Sequence, residues 1–383
     1  MSQVAPFSLT ITPAALEDLR ARLRRVRWPD AETVNDWRQG VPAEYLQSFC
    51  HYWLNGYDLN RVQDQLNSLP QFKTVINDVE IYFIHVKSSQ ADATPLIMTH
   101  GWPGSVIEFL KVIKPLTEPG TDASLAAPAF DVVIPALPGF GLSGKPTTTG
   151  WGVEKIARSW NELMQRLGYE RYYAQGGDWG AAVTSEIGRQ NLGQCKAIHV
   201  NMPTAWPTNA ARQNPTAADE AAFKGARFYR DWDSGYSHQQ ATRPQSIGYS
   251  LSDSPVAQAA WILEKFYAWT DCDGHPENVL TKDELLDNIM LYWLTNTAAS
   301  SARLYWESFG QNIKGEENQI HLPTGCSIFP KEIVPTPREW AAQRYKNIVY
   351  WRYLDKGGHF AAFEQPELFV TEMRDWFKVV SNL

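Results

Sequence analysis

Gly176-Gly177-Asp178-Trp179-Gly180 is entered from the apolar run Tyr172-Tyr173-Ala174 and followed by AAVTSEIGRQ at 181–190, and on this stretch the reading of the chain turns. An apolar strand, a Gly-rich turn and a helix-compatible run follow one another. Small residues two before and two after Asp178 allow the strained turn that pushes one side chain out beyond the end of a strand, the arrangement called a nucleophile elbow. Here the central side chain is a carboxylate. A serine in its place would attack acyl carbon, whereas a carboxylate attacks sp³ carbon and leaves an ester that water must cleave. The helix starting at 179 points the positive end of its dipole at Asp178, which favours negative charge there. Because Asp is also a common helix N-cap, the motif has to be weighed with its surroundings.

Outward from the elbow, PLIMT at 95–99, AFDVVIP at 129–135, YYA at 172–174 and CKAIHV at 195–200 read as short strands ending in Gly- or Pro-bearing loops. Helical patterns at about 105–116, 153–167 and 179–190 separate them. This alternation predicts an α/β fold with a mainly parallel central sheet and site residues at the carboxyl ends of its strands. Between 203 and 322 the strand signals vanish and Trp-bearing helical runs such as SPVAQAAWILEKFYAWT replace them; strands resume at TGCSIF and NIVYWRYL. So long an excursion within an α/β domain reads as an inserted helical cap. Before the sheet, Leu16, Leu19, Leu23 and Val26 recur at helical spacing after Thr12-Pro13, and a second amphipathic run extends from Pro42 to about Leu69. Phe72–Ile76 and Val79–Val86 then read as a hairpin about Asn77-Asp78. The expected division is an N-terminal arm at 1–90 (two helices plus the first hairpin), core at 91–202, cap at 203–322 and core again at 323–383.

Composition narrows the function. The 383 residues carry 35 Lys+Arg against 42 Asp+Glu, a net charge of −7, without a basic cluster longer than RARLRRVR at 20–27, so a nucleic-acid surface is not expected. Cys50, Cys195, Cys272 and Cys326 lie far apart with no CxxC spacing, which argues against a disulfide framework or a zinc site. No metal and no cofactor are expected. A reducing cytoplasm fits. The N-terminus lacks a basic segment followed by an apolar one, and no run reaches the roughly 18 apolar residues of a membrane span. Trp, Tyr and Phe number 16 each, an excess that suggests a bulky core or a ring-lined apolar pocket.

Two further motifs complete a set. His100-Gly101-Trp102-Pro103-Gly104-Ser105 follows the strand one βα unit before the elbow, where a loop's backbone N–H can join that of the residue after the nucleophile in an oxyanion hole. Pro103 has no N–H, so Trp102 and Trp179 are the natural donors. Gly357-Gly358-His359-Phe360 lies in the loop after the last expected strand, and nucleophile, acid, His is the chain order of hydrolases built on this fold. Glu332, two residues beyond the TGCSIFP strand, is the best placed acid; Asp355 shares the His359 loop and could hardly reach round to the far ring nitrogen.

HGWPGS, GGDWG, FPKE and GGHFAAFEQPE, with RWPD in the arm, together resemble the α/β-hydrolase-fold epoxide hydrolases of the microsomal type, over essentially the whole chain. The resemblance implies Asp178 as nucleophile, His359 as general base, Glu332 as its orienting acid and the Trp102 and Trp179 amides as oxyanion donors. It also implies two cap tyrosines that hold the epoxide oxygen, Tyr236 in DSGYSHQQ and Tyr305 in SARLYWES. A phenol stays protonated at neutral pH and can protonate a poor alkoxide leaving group. A haloalkane dehalogenase, the alternative on the same fold, needs N–H donors for its halide. A catalytically silent binding protein would need no nucleophile, base and acid together. The implied activity is hydrolysis of a small hydrophobic, aryl-bearing epoxide to a vicinal diol, in detoxification or natural-product biosynthesis. Eukaryotic microsomal members carry an N-terminal membrane anchor; this chain starts almost at the arm and is more similar to soluble bacterial members, so no membrane anchor is expected. Monomer and homodimer are both open.

Overall fold

The computed structural model describes residues 3–118, 127–310 and 315–383. Nine strands form one sheet: β1 (Ala5–Phe7), β2 (Gln71–Ile76), β3 (Val79–Val86), β4 (Thr94–Thr99), β5 (Phe130–Pro135), β6 (Tyr172–Gly176), β7 (Cys195–Val200), β8 (Thr324–Ile328) and β9 (Ile348–Tyr353). Their spatial order is β1-β2-β3-β5-β4-β6-β7-β8-β9. Pairing is antiparallel from β1 to β5 and parallel from β5 through β4 to β9. The order runs outward in both directions from β4 and β6, so the loops after these two neighbours meet at one end of the sheet. Those loops are HGWPGS and GGDWG, and their juxtaposition is what this topology contributes to the site.

Local chemistry makes these elements. The β2–β3 turn places Asn77 at φ 48° and Asp78 at φ 66°, the left-handed pair that a two-residue hairpin requires. In the parallel strands β4, β5, β6 and β7 nearly every side chain is buried, as expected of strands covered on both faces. The helix Trp179–Gln190 approaches the sheet closely enough that a Cβ on Gly180 would stand 1.8 Å from the Thr99 carbonyl oxygen, so only glycine fits there.

The arm differs from its expected form in two places. The run 42–69 divides into two helices, Ala43–Asn55 and Arg61–Asn67, because Gly56 closes the first and Tyr57 turns inward to donate to Asp287 Oδ1 at 2.8 Å. The short β1 also precedes the helices, pairing along the sheet edge, where Pro6 can sit without an N–H to spend. The arm grips the helix Lys282–Thr295: Tyr52 Oη donates to Asp283 at 2.7 Å, Arg61 pairs with Asp287 at 3.1 Å and Trp53 Nε1 lies 3.2 Å from Met290 Sδ. At the surface, Arg22 reaches Asp253 at 3.0 Å.

Between β7 and β8 the chain is helical, and no named strand occurs there among the described residues. Gly235–Thr242, Pro255–Trp269 and Ala298–Ser308 are the helices that face the sheet end. No helix of the described residues is long and apolar enough to cross a membrane, and none of their His, Cys, Asp and Glu side chains cluster as a metal site.

Candidate active site

Asp178 follows β6 at φ 51° and ψ −128°, a backbone conformation that non-glycine residues rarely adopt and that marks a strained functional turn. The turn aims its carboxylate away from the sheet. Asp178 Oδ1 accepts a hydrogen bond from the Trp102 N–H at 2.7 Å, and Oδ2 lies 3.1 Å from His359 Nε2. A Cβ on Gly101 would fall 2.0 Å from Asp178 Oδ1, so the HGWPGS loop can approach the carboxylate only with glycine at that position. The Trp102-Pro103 peptide is cis. Trp179 opens its helix, and its amide is among the first-turn N–H groups that have no intrahelical acceptor.

His359 is buried, and its other ring nitrogen, Nδ1, lies 2.6 Å from Glu332 Oε1. Glu332 Oε1 also accepts the Ile333 N–H at 2.7 Å, which fixes the carboxylate. Burial disfavours charge on the imidazole, but Glu332 and Asp178, one on each ring nitrogen, outweigh it and hold the His359 pKa well above the ordinary range. Both carboxylates therefore favour the imidazolium form of the resting ring. Its loop is pinned from two sides: the His359 N–H donates to the Trp269 carbonyl at 2.8 Å, while Glu364 accepts the amides of Gly358, Phe360 and Asp271 at 2.8 to 3.1 Å.

Across from Asp178, Tyr236 and Tyr305 are both buried in the cap. The Tyr236 ring lies parallel to Trp102 with centroids 4.8 Å apart, and Tyr305 meets Trp179 edge-on at 4.8 Å and Tyr236 at 5.7 Å. Burial pushes both phenols well above their ordinary pKa, with Asp178 adding to the effect, so both keep their protons. The Tyr305 hydroxyl is buried without a hydrogen-bond partner among the described residues. Together with Asp178, Trp179, Tyr229 and Phe309, the two tyrosines line a cavity of about 340 Å³. A larger open groove of about 860 Å³ runs between arm and cap past Trp28 and Val256, away from Asp178.

The structure thus brings Asp178, His359, Glu332, Trp102, Trp179, Tyr236 and Tyr305 into one place from six separated segments. It also adds residues that sequence reasoning missed. Glu108 lies behind Asp178 beside a void of about 10 Å³, room for about one water, shared with Gln175, Asn201 and His359. Burial pushes the Glu108 carboxyl up to about 8, and its Oε1 has no partner among the described residues. Ser105 and Glu108 have the S-x-x-E spacing of an ordinary helix start, which hides the burial of the acid. Tyr229, in a π-helical turn at Tyr229–Asp233, places its hydroxyl 3.3 Å from that of Tyr236.

The chain is similar to known proteins over nearly its whole length. The family pattern described as "Epoxide hydrolase N terminus" matches residues 4–109, and that described as "alpha/beta hydrolase fold" matches residues 94–228. A protein of Stigmatella aurantiaca (strain DW4/3-1) named "Putative epoxide hydrolase" is 48% identical over 98% of this chain and 85% of its own length. "Epoxide hydrolase 1" of Oryctolagus cuniculus is 36% identical over 97% of this chain and 88% of its own. Among solved structures, the Aspergillus niger epoxide hydrolase superposes with a TM-score of 0.89 at 33% identity, over 98% of this chain and 96% of that one.

Proposed function

The chain belongs to the epoxide hydrolase family, and from that premise we propose that it opens a hydrophobic, aryl-bearing epoxide by attack of Asp178 on a ring carbon, giving an alkyl ester that water then cleaves to the vicinal diol. The observation that carries this reading is the pairing of two buried phenols with a carboxylate across one cavity. Phenols can protonate an alkoxide as it leaves; a halide would call for N–H donors instead.

Because the Trp102 amide holds Asp178 Oδ1 where an oxyanion would later form, Oδ2, which rests 3.1 Å from His359 Nε2, is the oxygen that attacks. It forms the new C–O bond as the ring C–O bond breaks, and the departing oxygen, held by Tyr236 and Tyr305, takes one proton from the pair and leaves a phenolate. Ester formation removes the charge of Asp178, one of the two carboxylates that kept His359 protonated. The imidazolium then gives up its proton more easily, to the phenolate left by ring opening, and becomes the base for the second step. Water from the small void beside Glu108 and Asn201 passes a proton to His359 and attacks the ester carbonyl. The oxyanion develops on Oδ1 against the Trp102 and Trp179 amides. The alkoxide leaves with the proton that His359 took from water, the new carboxyl passes its remaining proton to the imidazole, and Asp178 is restored as a carboxylate carrying the oxygen of water. The rings of Trp179, Tyr229, Tyr236, Tyr305 and Phe309 around the cavity support an aryl substrate.

A single turnover in heavy-oxygen water tests the covalent route. The first diol should carry an unlabelled oxygen from Asp178 and the label should appear in the protein; label in that first diol would overturn it. The aryl preference is checked by kcat/KM for styrene oxide against 1,2-epoxyhexane, with the aryl substrate expected to be favoured.

A further inference from the structure

Beneath Tyr236 lies a group that the reaction outlined above does not use. Lys265, on the helix Pro255–Trp269, is only 2% exposed. Its ammonium donates to Asp233 Oδ1 and to Glu264 Oε1, each at 2.7 Å. Asp233 Oδ2 is in turn occupied by Trp269 Nε1 at 2.6 Å. Burying such an ion pair costs several kcal/mol per ion before compensation, and an apolar pair of similar volume generally stabilises a fold as well or better. A stability role alone therefore gives little reason for the pair.

Its position gives a better one. Lys265 Nζ stands 4.6 Å from the centre of the Tyr236 ring and 5.5 Å from that of Trp269. A cation over a ring is attracted by the π electrons. As a phenol hands its proton to an alkoxide, negative charge spreads into the ring and that attraction grows, so the cation stabilises the transition state more than the ground state. Tyr305 has no counterpart: among the described residues no cation stands over its ring, and its hydroxyl is unpartnered. The π-helical turn at Tyr229–Asp233 brings Asp233 to Lys265 and the Tyr229 hydroxyl to Tyr236, so one local irregularity serves both contacts.

We propose that Lys265, held by Asp233, is a positioning residue that acts through the ring of Tyr236 and makes this phenol the stronger of the two proton donors to the epoxide oxygen. The proposal rests on the assignment of Tyr236 as a donor. It makes the two cap tyrosines unequal, with Tyr236 carrying most of the proton transfer and Tyr305 chiefly orienting the oxygen.

The test is the single-turnover rate of ester formation, followed by intrinsic Trp fluorescence in the whole protein, for epoxides whose leaving oxygens differ in basicity. K265M should slow ester formation from 1,2-epoxybutane about 10-fold, in keeping with a desolvated cation–π contact, but only about 2-fold from 3,3,3-trifluoro-1,2-epoxypropane, whose oxygen needs less help. K265R should recover most of the rate, and ester hydrolysis should stay within about 2-fold of the unaltered protein in every variant. K265M should add nothing in a Y236F background and keep its full effect in Y305F. An equal loss for both epoxides, or a loss that persists in Y236F, would overturn the proposal and leave Lys265 a structural role. If Y236F itself formed the ester at the normal rate, the donor assignment would fall instead, which separates the two failures. D233N/K265M removes both buried charges together and supplies the same measurements should K265M alone not fold.

Discussion

On the sheet side of the cavity, Asp178, His359, Glu332 and the Trp102 amide are joined by polar contacts of 2.6 to 3.1 Å. On the cap side, Tyr236 and Tyr305 are held by rings with centroids 4.8 to 5.9 Å from their neighbours, and the Tyr305 hydroxyl is left unpartnered. The difference follows from what each face has to do. Charge must rest somewhere before substrate arrives, so the sheet side satisfies its charges in advance. A hydroxyl that was already satisfied would have to give up a bond to receive the epoxide oxygen, so on the proposed reading the cap side packs its rings tightly and leaves the Tyr305 hydroxyl free to orient it.

Replacing Asp178, the proposed nucleophile, tests the sheet side most severely. D178N should reduce turnover by at least about 10⁴-fold, measured as diol formation, since both proposed steps pass through this carboxylate. H359Q should still form the ester and then stop, visible as a mass increase on the peptide that contains residue 178. On the cap side, Y236F/Y305F should lose about 10³-fold in ester formation and each single variant about 10- to 100-fold, with ester hydrolysis little changed in stopped-flow traces. The comparison would break if the double variant slowed both steps alike. E332Q should show the complementary pattern, slowing ester hydrolysis about 10- to 100-fold while ester formation changes less, because an orienting partner matters most when the ring must act as base.

Two smaller effects concern stability. Glu108 is raised from 4.5 to about 8 by burial, so between these values the folded chain binds its proton more tightly than the unfolded chain does. Stability therefore falls as pH rises through that window. E108Q should flatten the decline of Tm between pH 5 and 8.5 by about 3 to 6 °C in thermal melts. Smallest is the surface clasp between arm and cap: R22A should cost less than about 1 kcal/mol in denaturant titrations, because Asp253 is largely exposed.

The same contrast governs how much of the molecule could be read in its sequence. Loops at strand ends concentrate their chemistry in a few contiguous residues, and turn geometry dictates the small residues around them; GGDWG, HGWPGS and GGHF are legible for that reason. The βα alternation that sets their places was legible too. Cap residues are positioned by helix packing across long separations, so Tyr236 and Tyr305 could be named only through family resemblance. Lys265 sits in WILEKFYAW, where nothing local distinguishes a buried cation from one on a solvated helix face. In the arm, the amphipathic pattern ran on through Gly56 although the chain turned there, since the deciding contact, Tyr57 with Asp287, is 230 residues away.

Gly180 and Gly101 carry an implication for how such a site can change over evolutionary time. A side chain at either place would collide with the Thr99 carbonyl or with the Asp178 carboxylate, whatever the reaction. Asp178 is held by Trp102 and His359 yet lines the cavity, so the group at this position is the one a bound molecule meets. Any change of chemistry at this wall would therefore fall on residue 178, within a space that is defined by two glycines with no reactive atoms of their own.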